Sequence, residues 1–141
     1  MSGFSIDITG DLNKRLDEMT AEVKQVLRDE LNEFGLETVG MAKNLCPVDE
    51  GTLRNMITFS NISEPAIGVE FSVASPYAAY IEFGTGLFAA AYVPSLPPSL
   101  QEYAMTFFVN GKGRIPARPY LFPAIEANTV LLMQRLKAQL G

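Results

Sequence analysis

The chain has 141 residues with 48% hydrophobic content, enough to bury a core and within the usual span of one domain. Its net charge of -5 and its 11 Lys and Arg spread along the sequence argue against tight binding to a phosphate backbone, which takes clustered cations. The absence of histidine removes the ordinary base partner of a Ser or Cys nucleophile and the commonest zinc ligand, and the one cysteine, Cys46, excludes an intrachain disulfide.

The opening Met1-Ser2-Gly3-Phe4 lacks the basic and apolar regions of a secretory signal, and no apolar run approaches the ~18 residues of a membrane span, so a soluble intracellular product is expected. Residues 1–10 read as an N-terminal arm, because Phe4, Ile6 and Ile8 alternate with Ser5 and Asp7. A long helix is predicted over 11–46. Leu16, Met19, Val23 and Val26 recur at spacings of three and four, and the stripe then slips by one residue to Leu27, Leu31, Phe34, Met41 and Leu45, with Thr38 in the vacant place. The slip predicts a slight rotation of the buried face or a break near Gly35 or Gly40. Unbroken, such a helix would be ~50 Å long, more than a domain of this size can cover, and that length points to self-association.

Cys46-Pro47 ends the helix, since proline disfavours helical geometry in the residue before it, and Cys46 reads as a small buried hydrophobe. Asp49 and Glu50 are neighbours in a Gly-containing turn, not facing carboxylates in a cleft, so no acid/base pair is read there. A small antiparallel sheet is predicted over 52–83: Leu53, Ile57 and Phe59 in one strand, a connection from Asn61 to Pro65, then Ile67, Val69, Phe71 and Val73 alternating with Gly68, Glu70 and Ser72. Tyr77 to Gly86, YAAYIEFGTG, follows as a third strand or a helical turn and stops at Gly84-Thr85-Gly86, where glycines allow positive φ. It is not a phosphate loop, because Leu87-Phe88-Ala89 follows in place of a Lys.

Residues 84–119 read as a long loop insertion rich in Ala, Pro and aromatics, with a short helix in which Ser99 and Glu102 form a capping box and Leu100, Tyr103, Ala104, Phe107 and Phe108 share a face. Asn110 to Gly113 makes a turn, and Lys112, Arg114 and Arg118 form a local cationic group, solvated in the simplest reading. A final helix over 121–140 has Pro123 in its first turn, Glu126 near its positive end, and Ile125, Leu132, Leu136 and Leu140 as a stripe extended by Leu131 and Met133. The expected fold is therefore α+β in one domain spanning 1–141, with long N- and C-terminal helices packed on a small antiparallel sheet and a long loop inserted between them.

Three phrases in order, AKNLCPVDEGTLRNMI (42–57), YAAYIEFGTG and RIPARPYLFPAIE (114–126), resemble the neck and tail-completion proteins at the head-tail junction of long-tailed bacteriophages. The likeness covers about 42–126, and the Ala- and Pro-rich stretch 87–103 departs from it. The resemblance implies a structural virion protein without enzymatic activity or cofactor. It would assemble with itself as a hexameric or dodecameric ring and contact neighbouring connector and tail proteins. DNA would pass through the lumen without being held, and no membrane would be involved. In that frame Pro47, Asp49, Gly51 and Thr52 set the turn from helix to sheet, and Gly84, Thr85 and Gly86 set the second. Glu82 and Arg118 are either an ion pair or two solvated charges. Leu87, Phe88, Tyr92, Leu100, Tyr103, Phe107 and Phe108 are candidates for the subunit interface. Two other classes compete with this reading. A small enzyme would need a nucleophile with a base or clustered metal ligands, which the sequence does not display, and a non-enzymatic adaptor would use the apolar loop to hold a partner.

Overall fold

A computed structural model describes residues 4–8, 20–47, 51–62, 67–75, 78–105 and 115–140. The architecture is α+β, with two long helices, α1 (Ala21–Leu45) and α6 (Leu121–Leu140), and a small antiparallel sheet.

Helix α1 begins later than its periodicity predicts. Thr20 is extended at φ -70° and ψ 163°, and its Oγ1 accepts the Val23 N–H at 3.2 Å, so Thr20 is the N-cap and the helix starts at Ala21. Residues 11–19 lie outside the described residues. The 25-residue helix is ~37 Å long at 1.5 Å per residue, so the expectation of an overlong helix, and the case for self-association built on it, does not hold for α1. Its end is as predicted: Cys46, extended before Pro47, donates its N–H to Ala42 O at 2.9 Å. Neither Gly35 nor Gly40 breaks it.

The buried row of α1 is Leu27, Leu31, Phe34, Gly35, Thr38 and Ala42, while Leu45 is exposed. This row covers a three-stranded sheet of order β1-β3-β2, made of β1 (Phe4–Ile8), β2 (Ile57–Ile62) and β3 (Gly68–Val73). The arm joins β3 with Phe4 opposite Val73, and β2 joins it with Ile57 opposite the same residue. Val69, Phe71 and Val73 are buried, and Phe34 meets the Phe71 ring edge-on, centroids 5.6 Å apart. Gly35 has a specific use: a Cβ there would fall 2.4 Å from the Phe59 ring, so the missing side chain lets β2 lie against the helix. Leu53, expected in the first strand, is instead buried in the short helix α2 (Gly51–Asn55), which carries the chain from Pro47 to β2.

YAAYIEFG resolves to helix α3 (Ala78–Phe83). The predicted long loop is also largely helical: α4 (Gly86–Tyr92), a 3-10 turn (Val93–Ser95) and α5 (Pro98–Met105). Ala89, Ala90 and Ala91 favour the helix, and of the prolines that suggest a loop Pro94 and Pro98 occupy first turns where no N–H is missed, with Pro97 just before α5. Helix α5 already begins at Pro98, one residue before the expected Ser99 cap position, and Pro97 O accepts the Leu100 and Gln101 N–H groups. Gln101 ties the preceding turn down, donating to Leu96 O at 2.6 Å and Pro94 O at 3.0 Å.

Two apolar clusters result. The larger lies among α1, the sheet, α3 and α6, and the smaller consists of Phe83, Ala89, Val93, Leu96 and Ala104. Helix α6 packs antiparallel on α1. Arg135 Nε lies 2.6 Å from Glu30 Oε2 and its Nη1 3.3 Å from Glu37 Oε2, Gln139 donates to Glu30, and Asn128 Nδ2 approaches Met41 Sδ at 3.6 Å. The buried row of α6 is Leu121, Ala124, Ile125, Asn128, Leu132 and Leu136; Leu131, Met133 and Leu140, predicted to extend that stripe, are exposed. Among the described residues no helix is long and apolar enough to cross a membrane.

Candidate functional site

The second and third resemblance phrases meet in space, and Glu82 is where they join. Helix α3 stops at Gly84, whose N–H donates to Tyr80 O at 2.9 Å. Gly84 has φ 77°, and a Cβ there would sit 2.8 Å from Ala117 N and 3.1 Å from Ile115 O, so conformation and close approach both require glycine. Gly86 has φ 55° and opens α4. Between them Thr85 is extended, and it pairs with Ile115 in both directions. Its N–H donates to Ile115 O at 2.9 Å, and its Oγ1 accepts the Ile115 N–H at 2.9 Å. Further along the return, the Arg118 N–H donates to Ile81 O at 2.8 Å and the Tyr120 hydroxyl donates to Ala78 O at 3.1 Å.

Helix α6 begins without a local cap, since neither Pro119 nor Tyr120 can accept its first N–H groups. Pro123, in the first turn, has no N–H to satisfy, which leaves the donors of Tyr120, Leu121 and Phe122. Glu82, fully buried, takes all three: Oε2 accepts from Tyr120 at 2.7 Å and Leu121 at 3.1 Å, and Oε1 accepts from Phe122 at 2.7 Å. A carboxylate from a helix about 40 residues earlier thus acts as the N-cap of α6, where the positive end of the helix dipole also favours it. Burial pushes the Glu82 carboxyl above the ordinary carboxylate range, with the three backbone hydrogen bonds acting in the opposite direction. Burial, and next the Glu82 charge, push the Tyr120 and Tyr92 hydroxyls up, so both stay protonated.

The described ties between the central segment and the IPARP return, where either a Glu82 and Arg118 ion pair or two solvated charges were expected, run through the backbone. Glu82 bonds to backbone N–H groups, and the Arg118 N–H bonds to α3. The signal available in the sequence was an acid inside an apolar segment together with a proline-bounded helix start lacking Ser, Thr, Asp or Asn.

The other predicted positions sit as follows. Pro47 ends α1, Gly51 and Thr52 open α2, and Asp49 lies outside the described residues. Of the interface candidates, Phe88 is exposed on α4, while Tyr92 and Leu100 are half-buried against the smaller apolar cluster. Leu87 belongs to α4 and Tyr103 to α5, and Phe107 and Phe108 lie outside the described residues. Among the described residues no group of His, Cys, Asp and Glu is placed to hold a metal ion. The arrangement is a rigid joint: it fixes the approach of α6 to α3 and the turn into α4, and it presents no nucleophile with a base.

No curated protein and no solved structure gives a significant match to the chain. A family model does match, over residues 10–84, and its description reads "Bacteriophage HK97-gp10, putative tail-component". That span takes in α1, the β2 and β3 hairpin and α3 as far as Gly84, more than half of the chain, and the protein belongs to this HK97-gp10-like family of phage tail components.

Proposed function

We propose that this tail component is a structural, non-enzymatic part of the virion that forms a homo-oligomeric ring at the head-tail junction or the top of the tail, and that DNA passes through the ring. The family match over residues 10–84 carries this reading. The geometry supports a mechanical role. The joint at Glu82 satisfies every first-turn donor of α6 from inside the fold, and it does so with groups no ligand can reach. Such a joint holds α6 in one relation to α3, as a part that must mate repeatedly with its neighbours requires. The net charge of -5 suits a conduit, because negative walls repel phosphates and let DNA slide.

A phage unable to make this protein tests the proposal. It should accumulate filled heads and separate tails, visible by electron microscopy, and added purified protein should join them. Intact infectious particles in its absence would refute the role. A basic lumen in the assembled ring would refute the sliding-conduit account while leaving the ring itself in place.

A further inference from the structure

Two helix faces carry features that nothing among the described residues uses. On α1, Leu36 is 58% exposed, and Gly40, one turn later, has no atom within 4 Å of the place a Cβ would occupy. Glycine weakens a helix interior relative to alanine. At Gly35 the Phe59 ring uses the missing side chain; at Gly40 nothing among the described residues does. On α6, Val130, opposite the buried row, is 57% exposed, and Met133, at its flank, 48%.

These residues lie on stripes with charged ends. On α1, Glu33, Leu36, Gly40 and Lys43 recur at spacings of three and four; on α6, Glu126, Val130, Met133 and Lys137 do the same. Laid antiparallel, the stripes set Glu33 opposite Lys137, Leu36 opposite Met133, Val130 over Gly40, and Lys43 opposite Glu126. Both ends are then attractive and an apolar centre closes over the glycine. Laid parallel, acid meets acid and base meets base.

We propose that the outer stripe of α1 receives the outer stripe of α6 from a second copy of this chain, and that this is the subunit contact of the ring proposed above, on which the inference rests. The chain's own α6 cannot fill the place, because it already packs on Glu30, Glu37 and Met41, which lie about 100° or more around α1 from Leu36. Donor and acceptor faces differ, so the contact is head-to-tail, the kind that generates rings or filaments. The register decides between those two outcomes. Within the chain Met41 is level with Asn128 and Glu30 with Gln139, and the proposed contact puts Gly40 level with Val130 and Leu36 with Met133, the same offset. Successive subunits then sit at one height along the helix axes, as a closed ring needs and a rising filament does not.

The test uses the full-length protein under mild oxidation, with the wild type, whose one thiol is the buried Cys46, as control. A chain carrying both Gly40→Cys and Val130→Cys should give a disulfide-linked ladder, and neither single variant should give a linked dimer. A disulfide-linked dimer from Val130→Cys alone would mean that α6 pairs with α6 and would overturn the proposal. Lys137→Glu should weaken assembly at least tenfold by light scattering, and adding Glu33→Lys should restore it. Gly40→Leu should abolish assembly without lowering the melting temperature of the monomer, which separates a blocked surface from a damaged fold. A wild-type closed oligomer that keeps its mass in these variants and gives no ladder would overturn the contact and spare the ring. A ladder without any closed mass would spare the contact and overturn the ring. A monomer at every concentration with no ladder would overturn both.

Discussion

Replacing Glu82 by alanine removes the acceptor of three backbone N–H groups at once while changing no exposed surface. A buried donor left without a partner costs ~1–3 kcal/mol. The Tyr120 and Leu121 donors are buried, whereas Phe122 is half-buried, so water can reach its N–H and its share is smaller. The expected loss is therefore about 3–5 kcal/mol, a large part of the ~5–15 kcal/mol that holds a domain together. Urea unfolding followed by circular dichroism would read this as a lower midpoint with an unchanged slope. Glu82→Gln keeps one oxygen, which can still serve Tyr120 and Leu121, and turns its amide donor toward the Phe122 N–H, so a smaller loss of ~1–3 kcal/mol is expected. The two variants should also differ from the wild type in pH dependence. Burial raises the folded pKa of Glu82 above the ordinary 4.5, so the folded state binds the proton more tightly than the unfolded state. The contribution of Glu82 to stability is then fully present below about pH 4.5 and declines as pH rises through the folded pKa, and both variants should lack that decline. An alanine variant within ~1 kcal/mol of the wild type would refute the assignment of Glu82 as the cap of α6.

The two glycines of α1 should respond oppositely. Gly40→Ala should stabilise the free chain by ~0.5–1 kcal/mol, since the Cβ meets open space. Gly35→Ala should destabilise it by ~1–2 kcal/mol, because the clash with the Phe59 ring outweighs the gain in helix propensity, and thermal melts of the pair would show the difference in sign. Thr38 Oγ1 is buried in α1 without a hydrogen-bond partner among the described residues, so Thr38→Val should stabilise by ~1 kcal/mol; a loss would mean the hydroxyl is satisfied. Arg135→Met should cost ~0.5–1 kcal/mol at neutral pH, given the partial exposure of the bridge. Its hydrogen bond with Arg135 holds Glu30 below 4.5, so that contribution is complete above about pH 4.5 and fades as pH falls through the folded pKa. Acid titration of stability should be correspondingly shallower in the variant.

Local signals placed much of this fold. Cys46-Pro47 stopped α1 where expected, the alternation from Val69 to Val73 gave β3, and Pro123 marked the first turn of α6. Errors arose where a local pattern had two readings. The α1 periodicity runs back through Met19, so nothing in spacing alone revealed the cap at Thr20. Prolines at 94, 97 and 98 suggest a loop, although proline is as much at home in the first turn of a helix, where Pro94 and Pro98 lie, with Pro97 just before α5. An apolar residue is not thereby a buried one: Leu131 and Met133 flank the buried row of α6, and Leu140, in line with Leu136, is exposed at the last residue of the helix. The candidate site was the least legible part, because its chemistry is non-local. Glu82 was visible as an odd acid and Arg118 as its nearest-looking partner, but three backbone N–H groups about 40 residues away leave no mark in composition. Side-chain charges are written in a sequence, and backbone donors are not.

On the proposed function this tail component works as a closed ring of identical subunits. The most direct measurement is the absolute mass of the purified protein by light scattering over a wide range of concentrations. The account predicts a discrete mass near six or twelve times 15.4 kDa, constant over the upper part of that range. A mass of 15.4 kDa at every concentration, or one that climbs without a plateau, would contradict it.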